Sequence, residues 1–244
     1  MSTQHDSRAG RAPMLLMTPG PTRVPERVLR AAARPMIHHR TPEFSRELAT
    51  AIDLFGPVFG TNSKPLPIHT TGRGALEAIV CNLLSASDEI AVCCNGKFGE
   101  MWAGFAESYD VVVHRFAKSW EHDVDVDELA QLFDDHPDIR AVAIAYGDTS
   151  TGVANDIASV ARLAHARGAM IFVDGVSSIG GMPFAFDAWE IDAAVVASQK
   201  CLMSGPGLSF VAMSDAAWKA SETSQLPCNY WNFAEVRRSI SKDK

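Results

Sequence analysis

The sequence predicts an α/β fold: a mostly parallel sheet of seven strands with helices on both faces. Three observations predict it. Seven short apolar runs alternate with segments of helical spacing from residue 66 to 213, which is the pattern of a parallel, helix-covered sheet. Several runs end in polar or glycine-bearing turns, as strands do when they deliver groups to one sheet edge. The chain has 244 residues, 47% of them hydrophobic, enough to bury a large core.

Residues 1–13, rich in small and charged side chains, are read as a flexible tail. Leu15-Leu16-Met17 leads into the rigid turn Pro19-Gly20-Pro21. Pro25 then suits the first turn of a helix reaching about residue 34. His38-His39-Arg40-Thr41 is a polar loop before a helix over 43–59. The adjacent histidines lack the i,i+4 spacing of helical metal ligands, so no metal is expected.

Strands are expected at 66–70, 89–95, 111–116, 140–146, 169–173, 192–197 and 208–213. Helical segments fall between them, at about 74–84, 98–108, 126–134 and 154–167. Gly168 stops the last of these, and Asp215 helps to start one more helix. The turn Thr71-Gly72-Arg73-Gly74 joins a strand to a helix. Its free amides and the helix dipole suit a phosphate, and Thr71 and Arg73 add a hydroxyl and a positive charge. It matches neither the dinucleotide nor the P-loop spacing. Phe98 stands at another strand-to-helix junction, where a flat ring can stack on a planar ligand or fill the core.

Composition excludes several classes. A net charge of −7 with no dense basic cluster argues against nucleic acid and anionic membrane as partners. No apolar run approaches the roughly 20 residues of a membrane span, and no signal-peptide pattern follows the N-terminus. A soluble, cytoplasmic protein is expected. The five cysteines are odd in number and form no C-x-x-C, so reduced thiols are expected rather than a disulfide framework or zinc site.

Two groups can do chemistry at the ends of neighbouring strands. Asp174 follows the run at 169–173, and Ser198-Gln199-Lys200 follows the run at 192–197. An amine and a carboxylate at one edge suit pyridoxal 5'-phosphate (PLP), whose aldehyde takes a lysine and whose ring nitrogen takes an acid. Singly, Asp174 could be a turn residue and Lys200 a solvated surface lysine.

Together these turns resemble the class V aminotransferases of PLP fold type I, in the alanine–glyoxylate, serine–glyoxylate and serine–pyruvate group. The matching words begin Thr18-Pro19-Gly20-Pro21-Thr22 and His39-Arg40-Thr41-Pro42-Glu43-Phe44. They continue as Asn95-Gly96-Lys97-Phe98-Gly99, Thr149-Ser150-Thr151-Gly152-Val153, Val173-Asp174-Gly175-Val176-Ser177-Ser178 and Ser198-Gln199-Lys200, in family order.

The resemblance implies Lys200 as the Schiff-base lysine and Asp174 as the partner of the pyridine nitrogen. Thr71, Gly72, Arg73 and Gln199 would hold the phosphate, Phe98 would stack on the ring, and Thr149 would lie near the phenolic oxygen. Gly20 would lie at the substrate pocket. A homodimer with interfacial active sites is implied, acting on small amino acids and 2-oxoacids. Arg73 departs from the histidine or threonine usual in relatives. Residues 14–224 match the family's large domain, and 225–244 would begin the connection to a small domain. That domain carries an arginine for the substrate carboxylate, and neither it nor the family's Tyr/Thr pair is found in this sequence. Alternatives are an impaired PLP-binding or dimerisation domain, a lyase or desulfurase, and a pyridoxamine–pyruvate transaminase. Desulfurases favour histidine before the lysine, where this chain has Gln199.

Overall fold

The structure, a computed structural model, describes residues 15–242; the expected tail at 1–13 lies outside them. Two helices precede the sheet, α1 (Glu26–Ala32) and α2 (Pro42–Phe59). The α2 start follows from its sequence: the Thr41 hydroxyl accepts the Phe44 amide at 3.3 Å, and Pro42 has no amide to satisfy. Gly60 ends it in the left-handed region at φ 69°.

The alternating part follows as β1 (Leu66–Ile68), α3 (Gly72–Leu83), β2 (Glu89–Cys94), α4 (Lys97–Glu107), β3 (Val112–Ala117) and α5 (Val126–Asp135). Then come β4 (Ile139–Ala145), α6 (Ile157–Ala166), β5 (Met170–Asp174), β6 (Ala193–Ala197), β7 (Ser209–Met213) and α7 (Asp215–Ser221). Helix α6 starts three residues later than its apolar spacing predicts. Asp156 caps it by accepting the Ser159 amide at 3.1 Å. Asn155 is buried and spends its side chain on Ala145 O and the Val124 amide, at 2.7 and 3.0 Å. A buried polar group must be bonded, and those bonds hold Asn155 out of the helix.

The seven strands form one sheet in the order β1-β7-β6-β5-β4-β2-β3. All neighbouring pairs are parallel except the two made by β7, which runs against β1 and β6. Successive strand residues alternate between two apolar layers. Val195 and Ala197 face the layer of α3, α4 and α7, whereas Ala194 and Val196 face that of α5, α6 and the end of α2. The strand order reverses between β2 and β4, because β3 lies outside β2 and the chain crosses back to β4. Ligands in open α/β sheets bind beyond the strand carboxyl ends at such a point.

Residues beyond 224 form a helix that the sequence reading did not separate, α8 (Phe233–Lys242). Phe233 is fully buried in the α3 layer. The Asn82 side chain on α3 ties it down, donating to Trp231 O and accepting the Phe233 amide, each at 2.9 Å. A Cβ on Gly74 would lie 3.0 Å from the Trp231 ring, so this segment presses directly on the first turn of α3.

Candidate active site

Six turns meet at the carboxyl edge of the sheet. Asp174 is the last residue of β5, and Lys200 closes the turn after β6, its immediate neighbour. The Asp174 carboxylate is 5% exposed and accepts the Val176 amide at 2.9 Å. Burial pushes its pKa up to about 6, the nearby Asp148 adds to the rise, and the Val176 amide and Lys200 oppose it. Lys200 therefore lies close enough to act on Asp174 electrostatically, and it is only partly exposed.

The N-terminal strand of chain reaches this edge as well. Thr22 donates its amide to Gln199 O and its hydroxyl to Lys200 O, both at 2.9 Å. Gly20 is packed against the lysine: a Cβ there would come within 2.5–2.7 Å of Lys200 Cδ, Nζ and Cε. The lysine end is flexible, so Gly20→Ala is expected to leave stability within about 1 kcal/mol while displacing the amine. A thermal melt beside a PLP titration followed in the visible range checks both parts, and an unchanged titration curve would refute the displacement.

Helix α3 begins with Thr71 at its cap, whose side chain makes no capping bond. That leaves the first-turn amides for another acceptor. Gly72 lets this end seat against the turn after β5, since a Cβ would lie 2.5 Å from Val176 Cγ2. Thr71 and Arg73 are exposed at the same end. Gln199 Oε1 is buried with no hydrogen-bond partner. A flip of that amide brings the donor Nε2 there instead, which a phosphate oxygen can accept from. A buried amide left without a partner is one that a polar ligand group can satisfy.

The remaining side is built by β2 and β4. Phe98 opens α4 and is half-buried. Thr149, just past β4, hydrogen-bonds through its hydroxyl to Ser177 of the turn after β5. Sequence reasoning did not single out Asp148, which is 1% exposed and accepts the Phe98 amide at 2.9 Å. Ser177 was quoted only as part of a motif. The available signal was Ser177's place inside a matching word and Asp148's place just before one, in the polar turn after β4. The cluster Glu89, His114 and His136, whose ligand atoms lie within 4.8 Å of one another, sits at the start of β2, on the opposite edge.

The sequence profile of the class-V aminotransferases matches residues 14–242. The chain belongs to the class-V aminotransferase family. It is 34% identical over 233 residues to the L-aspartate–glyoxylate aminotransferase of Paracoccus denitrificans (strain Pd 1222), covering 93% of this chain and 59% of that one. It is 37% identical over 231 residues to a Synechococcus sp. (strain PCC 6716) protein named soluble hydrogenase, small subunit, covering 93% and 60%. Among solved structures, the alanine–glyoxylate aminotransferase (ALR1004) from Nostoc sp. superposes with a TM-score of 0.90 at 26% identity, covering 100% of this chain and 67% of that one. The chain thus spans about 60% of the length of these two curated relatives. Class-V aminotransferases are PLP-dependent, in keeping with the orphaned Gln199 amide and the open end of α3.

Proposed function

We propose that this chain is the cofactor-binding part of a PLP-dependent aminotransferase that moves an amino group from a small amino acid, alanine or serine, to glyoxylate or pyruvate. One observation carries the reading: neighbouring parallel strands deliver Asp174 and Lys200 to one sheet edge, where α3 also begins without a side-chain cap. PLP, when bound, supplies an aldehyde for the amine and a ring that withdraws electrons from the substrate carbon.

Each residue has a task in that reaction. Lys200 would offer the amine that holds the cofactor, and its free amine would be placed to carry a proton to and from the substrate Cα. Asp174 keeps the ring nitrogen protonated from a buried position where its charge is felt strongly. Thr71, Gly72, Arg73 and Gln199 hold the phosphate, and Phe98 covers one ring face. Thr149 lies towards the phenolic oxygen, while Gly20 keeps the lysine side open for substrate. Fixing the ring at both ends turns Cα–H alignment into a positioning problem already solved on binding.

A homodimer is part of the proposal. Helix α1 buries none of its residues, and Leu16, Met17, Leu29, Met36 and Ile37 around it are exposed. Apolar surface of this kind marks an interaction site.

The test is spectroscopic. Purified protein with PLP should gain the visible band of lysine-bound cofactor in a saturable way. L-Alanine, L-serine or L-aspartate should then bleach it, and glyoxylate or pyruvate should restore it. Absence of a saturable band refutes the cofactor assignment. A band that no amino donor alters refutes transamination by this chain.

A further inference from the structure

We propose that Asp148 is a positioning residue: by bonding the amide of Phe98 it fixes the start of α4 and so seats the Phe98 ring against the cofactor. The inference rests on the PLP reading above and adds a residue that the resemblance did not name. Helix α4 has Gly96 at its cap position, so its own sequence supplies no side chain to accept the first-turn amides. The acceptors come instead from the turn after β4. Asp148 Oδ2 accepts the Phe98 amide at 2.9 Å, and Ser150 Oγ accepts the Lys97 amide at 2.9 Å. Asp148 Oδ1 in turn accepts the Ser150 amide at 2.9 Å and its hydroxyl at 2.6 Å.

This cap is built to close tolerance. A Cβ on Gly96 would lie 2.3 Å from both Cγ and Oδ2 of Asp148, so only glycine lets the carboxylate reach the amides. The backbone of Asp148 is held too, its carbonyl accepting the Gly152 amide at 2.8 Å and its own amide donating to Val153 O at 3.1 Å. Asp148 is thus a fixed, buried, fully bonded carboxylate between two sequence-distant turns, and one of its bonds ends on the residue expected to stack. A charged acceptor at a helix start is also favoured by the dipole.

The closing experiment is a double-mutant cycle read as PLP dissociation constants, with amide hydrogen exchange on the apoprotein as an independent readout. Asp148→Asn keeps the shape but turns an NH2 towards one of the donors. It is expected to weaken PLP binding about tenfold, as is Phe98→Ala, which removes one aromatic stacking contact. The double variant should bind no more weakly than Phe98→Ala alone, because Asp148 acts through Phe98. Additive losses would overturn the proposal, and so would an unchanged dissociation constant in Asp148→Asn.

In the apoprotein the Phe98 amide should exchange faster in Asp148→Asn; equal protection overturns the bond itself. Should that variant not fold, Ser150→Ala serves. It removes one partner of Asp148 and the acceptor of the Lys97 amide but leaves the Phe98 bond, and it should keep PLP binding within about twofold. A loss as large as that of Phe98→Ala would assign the effect to the whole turn and sink the claim for Asp148. If wild-type protein binds no PLP, the cofactor reading and the ring-seating step fail together. The apoprotein exchange result then judges the Asp148–Phe98 contact alone.

Discussion

On the proposed function, Lys200→Ala is expected to abolish the visible band of bound PLP and to reduce any turnover by at least about 10⁴-fold, since Lys200 would be both the attachment point and the proton carrier. Little stability should go with it. Lys200 is partly exposed and follows β6 rather than filling either apolar layer. A change within about 1 kcal/mol is expected on thermal or urea unfolding. Lys200→Arg is the sharper control, for it keeps the positive charge near Asp174 but offers no amine that can attach. Reduction with borohydride followed by peptide mapping locates the attachment directly. Label found on any other lysine, or a visible band that survives Lys200→Ala, would refute the assignment.

Asp174→Asn is expected to separate stability from function. Its carboxyl group has a pKa of about 6 in the folded chain against an ordinary value of 3.8, chiefly because burial disfavours the charge. The folded state therefore holds the proton more tightly than the unfolded one. Below 3.8 both states are protonated, and the group has no effect on stability. As pH rises towards 6 the unfolded chain releases its proton first, so stability falls, and the full penalty stands above 6. The difference from 3.8 to about 6 corresponds to roughly 3 kcal/mol at neutral pH. The apoprotein of Asp174→Asn should thus be more stable than wild type by up to that amount at pH 7–8, with the gap closing towards pH 4. Asparagine still accepts the Val176 amide but cannot hold a protonated ring nitrogen. Turnover should fall about 100- to 1000-fold. Urea unfolding of both apoproteins across pH 4–8 checks the first part, and a pH-independent difference would contradict it.

Much of this was legible from the residues in order. The strand at 192–197 and the helix stopped by Gly168 are local signals, and the structure puts β6 and α6 there to within a few residues. The Asp174 and Lys200 pair was readable because both stand just past apolar strands, and parallel β5 and β6 make them neighbours. Asp148 was not readable in the same way. It is one polar residue in a polar turn, and its importance arises from the Phe98 amide, 50 positions away. Helix α8 was legible in part, since Phe233, Val236 and Ile240 stand at helical spacing. What local order could not show is the Asn82 side chain that holds its start, a tertiary bond across 151 positions.

That last bond bears on the order in which the fold closes. Strand β1 pairs only with β7, and the first turn of α3 gains its backing from Trp231. Both wait for segments far later in the sequence, and contacts of such long separation close slowly. In refolding, the edge made by β1 and the start of α3 is therefore expected to gain hydrogen-exchange protection after the neighbouring parallel strands.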